Sequence, residues 1–283
     1  MKHRISVTID SNILHQMDRY INNFNFESRS NFVEECIKTY IKQSEVAVIL
    51  AGGNPEKLKI GNNYKFLIKT IGNKTLLDLL LQKLSVFGKI IIIAQKPVIE
   101  VIFDKIGTEL NSTEIEYIEE KKELGNAKTL ELAKEKLPQN FLIVPIDQYY
   151  DFSLLELIYK QKINYSISKS VATLAVSPPR SKDEKGSISM LGNTITNFTE
   201  RPIKKKYLVS AFVAACDKEI FNYIPAGKVN WILQTDIYPR LAKEGRLCGY
   251  VLDTPVLNIH TERDIKYLRK YLKNKIKTKD TLV

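Results

Sequence analysis

No apolar run in the sequence exceeds the length of one buried strand. Runs such as 46–51 and 90–94 fall far short of a bilayer span. Nothing at the N-terminus reads as a secretory leader, so a cytoplasmic setting without membrane association is expected. Cysteine is scarce: Cys36, Cys216 and Cys248 are scattered, with neither a disulfide framework nor metal-ligand spacing, which suits a reducing compartment. No internal repeat is visible. What the chain does have is length for a small module and a full domain, 44% hydrophobic residues to build a core, and a net charge of +11. Much of that excess lies in Lys204, Lys205 and Lys206 and in the tail at 266–279, either a solvated helix face or an attraction for nucleic-acid backbone.

Residues 4–9 alternate polar and apolar, the period of a strand with one buried face. Ile5, Val7 and Ile9 would face a core, and Arg4, Ser6 and Thr8 would face outward. Asp10 and Ser11 offer a helix N-cap, followed by Ile13, Leu14, Met17, Tyr20 and Ile21 at helical spacing. A second helix start at Ser28, Arg29 and Ser30 precedes Phe32, Val33, Cys36, Ile37, Tyr40 and Ile41 on one face, which places Cys36 in a core. One strand and two short helices are too little to close a core alone, and a lone strand has unpaired edges, so a second copy is expected. The segment is nearly neutral, its basic residues almost balanced by acids.

This pattern over residues 2–43 resembles the ribbon-helix-helix family. The resemblance implies a homodimer whose two-stranded ribbon enters the major groove of double-stranded DNA. Arg4, Ser6 and Thr8 would then read base edges, and the start of the second helix, with Ser28, Arg29 and Ser30, would hold a phosphate. The plainer alternative is a module that only dimerises.

Gln43 and Ser44 are the whole linker before a second domain, 44–283, with a basic C-terminal helix or tail. Val46, Ala47, Val48, Ile49 and Leu50 suit a buried parallel strand, and Gly52 and Gly53 then turn the chain. Helical segments at 76–84 and 127–137 alternate with strands at 89–94, 115–118 and 141–144, and shorter strands follow at 172–176, 187–190, 194–198 and 209–215. This order predicts an α/β fold with a Rossmann-like mixed sheet.

Several ordered motifs resemble the sugar-phosphate nucleotidyltransferases, over about 45–272. They are Leu50-Ala51-Gly52-Gly53, Tyr64-Lys65-Phe66-Leu67, Leu124-Gly125-Asn126-Ala127, Val144-Pro145-Ile146-Asp147, Phe198-Thr199-Glu200-Arg201-Pro202, the strand at 209–217, and Asn258-Ile259-His260-Thr261. The resemblance implies that Gly52, Gly53, Lys57, Gly125 and Asn126 contact a nucleotide. It further implies that Lys65 contacts phosphates, that Asp147 and Asn258 hold Mg²⁺, and that Glu200 and Arg201 grip a sugar phosphate. The chain departs from the family pattern at five places. Pro55 removes an N–H donor, Glu56 brings a carboxylate toward the phosphates, Lys57 replaces an arginine, and Asn258 replaces an aspartate. His260 also stands where the family has glycine. From these departures the expected function is a DNA-binding regulator whose large domain senses a nucleotide or nucleotide-sugar. The alternative is an active sugar-1-phosphate nucleotidyltransferase dimerised by its N-terminal module.

Overall fold

The computed structural model describes residues 4–21, 26–110, 113–179, 186–200, 208–254 and 256–280, apart from the side chains of 38–44 and 277–280. Contacts divide the chain into two units, Met1–Ser44 and Glu45–Val283.

In the small unit, α1 (Ser11–Asp18) begins where the Asp10 carboxylate accepts the Asn12 N–H at 2.8 Å. The second helix, α2 (Arg29–Ser44), begins where the Ser28 hydroxyl accepts the Asn31 N–H at 3.2 Å. Arg29 makes a bidentate pair with Asp18 at 2.8 and 2.7 Å, and Phe32 packs against Tyr20 and Phe26. The segment ahead of α1 differs from its expected form. Residues 4–10 carry no regular secondary structure in this single chain, and Ile5 and Val7 stand 69% and 63% exposed. A strand needs a neighbour for its N–H and C=O groups, and none of the described residues pairs with this segment. Cys36, expected in a core, is exposed.

The large unit is built on a twisted sheet. Its central strands are β1 (Val46–Ala51), β2 (Lys89–Ala94), β3 (Thr113–Glu119) and β4 (Asn140–Pro145), parallel and in the order β3-β2-β1-β4. Alternate residues of β1 feed opposite faces. Val46, Val48 and Leu50 join one core, Ala47, Ile49 and Ala51 the other, and all six are buried. This is why the strand reads as a continuous apolar run. Leu77, Leu80, Leu81 and Leu84 of α3 (Leu76–Leu84), with Val98 and Ile102 of α4 (Lys96–Ile106), cover one face. Ala127 and Leu130 of α5 (Asn126–Glu131) pack on the other. A capping box between Thr75 and Asp78 fixes the start of α3. The helix expected at 127–137 stops at Glu131 and finishes as a short 3-10 turn, Lys134–Lys136.

Beyond β4 come β5 (Gln148–Tyr150), α6 (Leu154–Ser168), β6 (Ala172–Ser177), β7 (Ser187–Leu191), β8 (Thr194–Thr199) and β9 (Leu208–Asp217). After these come α7 (Tyr238–Lys243), β10 (Leu247–Val251), β11 (Val256–Asn258) and α8 (Glu262–Asp280). Strand β9 runs antiparallel to β4 and carries β7 and β6, so the sheet becomes mixed on that side. Short β5 and β11 pair antiparallel across the carboxyl end of the sheet. Two elements have no clear sequence signal. Along α6, Tyr159, Ile163 and Ile167 are exposed while Gln161 and Asn164 are buried, so no clean apolar stripe forms. Strand β10 is short and interrupted by Gly249.

Candidate functional site

The strand order reverses between β1 and β4, and in open α/β sheets ligands bind at the carboxyl ends of strands at such a switch. A cleft of about 710 Å³ lies there. Gly52, Gly53, Lys57, Gly125, Asn126, Asp147, Glu200 and Asn258, far apart in sequence, all line it. Arg201 lies outside the described residues. Arg4, Ser6, Thr8, Ser28, Arg29 and Ser30 belong to the small unit, and all six are exposed.

The glycine turn after β1 is held from below. Glu120, next after β3 and 3% exposed, accepts the Gly53 N–H on Oε2 and the Thr129 hydroxyl on Oε1. Gly53 takes a positive φ of 81°. The chain then makes a 3-10 turn, Pro55–Leu58, capped by Asn54, whose carboxamide oxygen accepts the Glu56 N–H at 2.9 Å. This local geometry corrects one expectation. The Glu56 side chain is 71% exposed and salt-bridged to Lys59 at 2.6 Å, and it is not among the cleft-lining residues. The residue that most opposed phosphate binding in the sequence points elsewhere. Lys57 lines the cleft, is 76% exposed, and pairs with Glu123 at 3.3 Å.

Opposite the turn, Gly125 (φ 84°) is pressed against the 230–232 segment, and a Cβ on it would stand 2.3 Å from the Trp231 carbonyl oxygen. Asn126 spends its amide internally, donating to Gln234 Oε1 at 2.9 Å and accepting the Leu233 N–H at 2.8 Å. Its side chain therefore shapes this wall of the cleft.

At the far end of β4, Asp147 meets Lys65. The Lys65 side chain, on a 3-10 turn (Lys65–Leu67), is 6% exposed and its Nζ stands 3.4 Å from Asp147 Oδ2. Pairing of β5 with β11 sets Gln148 opposite Asn258, and the Ile259 N–H donates to the Asp147 carbonyl at 3.0 Å. Gln148 donates its amide to Asn258 Oδ1, while its own Oε1 is buried without a hydrogen-bond partner. His260 Nδ1 stands 3.9 Å from Asp147 Oδ2. Its backbone N–H donates to Asp264 at 3.0 Å, as does that of Thr261 at 2.8 Å. Burial alone would raise the Asp264 carboxyl, but these bonds and that from the Thr261 hydroxyl outweigh it and hold the group below its ordinary value. Burial first, and the Asp147 charge second, push the Tyr150 phenol well up.

The cleft is rich in carboxylates, from Glu120, Glu123, Asp147, Glu200 and Asp264. Among the described residues no three His, Cys, Asp or Glu side chains gather as a metal cage. An ion here would use the Asp147 carboxylate together with amide oxygens, and the orphaned Gln148 Oε1 is an acceptor of that kind. Phe212, also in the lining, sits at a break in the β6–β9 register with a left-handed φ of 67°.

Sequence reasoning missed Glu120, Gln148, Gln234 and Phe212. Glu120 alone had a signal, an acid at the carboxyl end of a parallel strand five residues before Gly125. The other three depend on pairings between distant segments.

A family model described as nucleotidyl transferase matches residues 46–275. No curated protein sequence matches the chain significantly. Among solved structures, the chain is similar to a Bacillus anthracis protein assigned as a glucose-1-phosphate thymidylyltransferase, in complex with sucrose. The identity is 17%, the TM-score 0.70, and the match covers 81% of this chain and 95% of that one. It is also similar to HddC from Yersinia pseudotuberculosis complexed with GMP-PN, at 18% identity and TM-score 0.62, covering 81% of this chain and 99% of that one. At these identities the structures show a shared fold. Among the described residues no helix is long and apolar enough to cross a membrane.

Proposed function

The chain belongs to the nucleotidyl transferase family, and from that premise we propose that its large unit transfers a nucleotidyl group from a nucleoside triphosphate to a sugar-1-phosphate. The observation that carries this reading is Asp147 at the strand-order switch, paired at 3.4 Å with the buried Lys65, which is not among the lining residues, and lining one cleft with the Gly52–Gly53 turn and Glu200. In the proposed step a phosphate oxygen of the sugar-1-phosphate attacks the α-phosphorus. The bond from that phosphorus to the oxygen bridging to the β-phosphate breaks, and pyrophosphate leaves with the electron pair. Such a transfer needs positioning and charge neutralisation more than proton chemistry.

The backbone N–H groups of the glycine turn would approach the phosphates. The Lys65 ammonium would neutralise charge on them, and Glu200 would accept sugar hydroxyls. Asp147 and Asn258 would hold Mg²⁺, which supplies positive charge to the phosphates when bound. A triphosphate entering a cleft with five carboxylates needs such compensation. The outward turn of Glu56 removes the main obstacle to this reading. The solved neighbours, described as a thymidylyltransferase and as a GMP-PN complex, support the substrate class and leave the base open.

The test is pyrophosphate release with Mg²⁺ over a grid of the four nucleoside triphosphates and common sugar-1-phosphates. Turnover with one pair, lost in Asp147→Ala, is the expected result. A folded protein with no turnover anywhere on the grid would overturn the reading. It would return the large unit to a sensor of nucleotides or nucleotide-sugars.

A second reading concerns the small unit. The exposed Ile5 and Val7, on a segment ahead of two helices that pairs with no other strand among the described residues, favour a ribbon-helix-helix dimer that binds double-stranded DNA. In that arrangement Arg4, Ser6 and Thr8 would face the major groove. Arg29 would have to exchange Asp18 for a phosphate.

A further inference from the structure

We propose that the outward face of α8 binds the phosphate backbone of a nucleic-acid duplex without reading its sequence. This face belongs to the large unit and lies outside the cleft, so it requires neither the transfer chemistry nor a ribbon in the small unit.

Four observations carry it. First, the sequence from Ile265 to Lys279 contains no acid. Within it Lys266, Arg269, Lys270 and Lys273 line an open groove of about 540 Å³, together with Ile71 of the short strand Lys69–Ile71. Second, all four cations are exposed, and none pairs with a carboxylate among the described residues. Elsewhere in the unit cations are matched, as Lys89 is by Glu116, Lys105 by Asp78 and Lys162 by Glu45. Like charges three and four positions apart repel along a helix. The attraction of a helix C-terminus for cations is confined to the last turn, and Lys266 to Lys273 precede it. The helix therefore carries a row of positive charge that its own structure does not compensate. Third, α8 is held from behind. Ile265, Leu268 and Leu272 are buried in one cluster with Leu257 and Ile259. Tyr271 and Lys275 both bond Asp151. Arg269 donates through Nε and Nη2 to the Lys69 carbonyl at 3.2 and 2.7 Å, which leaves it N–H groups for a phosphate. Fourth, the row from Lys266 to Lys273 spans about 10 Å of helix axis, the rise of about three nucleotides in one duplex strand.

Two other polyanionic partners fit this face less well. An anionic membrane would need an apolar face to insert, and the apolar stripe of α8 is spent in the core. An unpaired strand would need rings to stack on, and no aromatic side chain is among the described residues lining the groove. A duplex backbone asks only for cations in a row.

The experiment uses the full chain and short fluorescent duplexes of unrelated sequence, titrated by anisotropy over a range of salt. In K266Q/K270Q/K273Q the slope of log affinity against log salt should shrink by roughly three, and binding should weaken alike on every sequence. K266R/K270R/K273R should keep the wild-type slope. Pyrophosphate release on the substrate grid should be the same in both, because none of the three lysines lines the cleft. Thermal unfolding checks that each variant is folded. A second measurement needs no substitution: bound duplex should protect these three lysines of the wild type from acetylation, read by mass spectrometry. No duplex binding by the wild type, an unchanged slope in the folded glutamine variant, or lysines left unprotected would each overturn the proposal. An unchanged slope together with a sequence preference lost in Arg4→Ala would overturn it too, and move the DNA contact to the small unit. Tighter binding to a single strand than to a duplex would overturn the duplex as occupant. Binding to vesicles of phosphatidylserine and phosphatidylcholine, with none to duplex, would overturn it in favour of a membrane surface.

Discussion

A Cβ placed on Gly52 would stand 2.6 Å from Oε2 of Glu120, the oxygen that accepts the Gly53 N–H. The buried carboxylate and the side-chain-free turn thus fit only each other. Glu120→Ala should strand the Gly53 donor and cost about 1–3 kcal/mol in a urea titration. Glu120→Gln should cost under about 1 kcal/mol. Its oxygen can still face Gly53, and the Thr129 hydroxyl can accept from the new amide while donating to the Gly125 carbonyl at 3.2 Å. Equal losses in the two variants would mean that the charge, rather than the turn contact, matters.

The central sheet was legible in the sequence because its strands are buried on both faces, and 46–51 and 89–94 therefore read as unbroken apolar runs. The cleft lining at Gly52, Gly125, Asp147 and Asn258 was legible because each lies in a short motif beside a strand end. Glu56 was misjudged because the 3-10 turn that swings it toward Lys59 depends on the Asn54 cap. Phe212 and Gln148 were invisible, since a register break and a two-strand cross-pairing are tertiary facts. The segment at 4–9 shows the opposite limit. Its alternation is plain, but among the described residues nothing pairs with it and it carries no regular secondary structure.

Phe212→Gly should separate strain from packing. A bulky residue at φ 67° costs about 1–2 kcal/mol, which glycine would recover. Losing the ring, partly buried against the core, costs a similar amount. Stability should therefore change by less than about 1 kcal/mol. The cleft, opened by the missing ring, should accept a wider range of sugar-1-phosphates. Unchanged selectivity with a marked loss of stability would make Phe212 a packing residue only.

Acid should expose the Asp264 cap. Its carboxyl titrates below the ordinary 3.8 in the folded chain, so its contribution to stability is present above that value. It is lost as pH falls through the lower, folded-state value. The same sign holds for Asp78, where bonds from Thr75 and Lys105 outweigh the upward push of burial. Urea midpoints measured from neutral pH down past 3.8 should fall less steeply in Asp264→Asn than in the wild type. Parallel slopes would remove Asp264 from the account.

Lys65→Met and Asp147→Asn should each lower turnover by roughly 10²- to 10³-fold. Because they share one interaction at 3.4 Å, the double variant should lose much less than the product of the two. Multiplicative losses would mean that the two groups act on separate parts of the substrate.

Charge on the ribbon should decide whether the small unit pairs. Ile5 and Val7 are mostly exposed in the single chain, so Val7→Lys has no core to disrupt within one copy. In a paired ribbon the same position would bury an ammonium opposite its own copy, which costs several kcal/mol without a partner. Sedimentation equilibrium should therefore show wild-type dimer and a shift to monomer for Val7→Lys, with the thermal unfolding of the large unit unchanged. Arg4→Ala and Thr8→Ala act on the outward face. They should leave the dimer intact and relax sequence preference in a DNA-binding assay held at one salt concentration, since base readout differs from phosphate attraction in its salt dependence. An unchanged mass for Val7→Lys would remove the ribbon. A dimer lost in Val7→Lys, together with a wild type that binds no DNA, would leave the small unit as a dimerisation module for the enzyme.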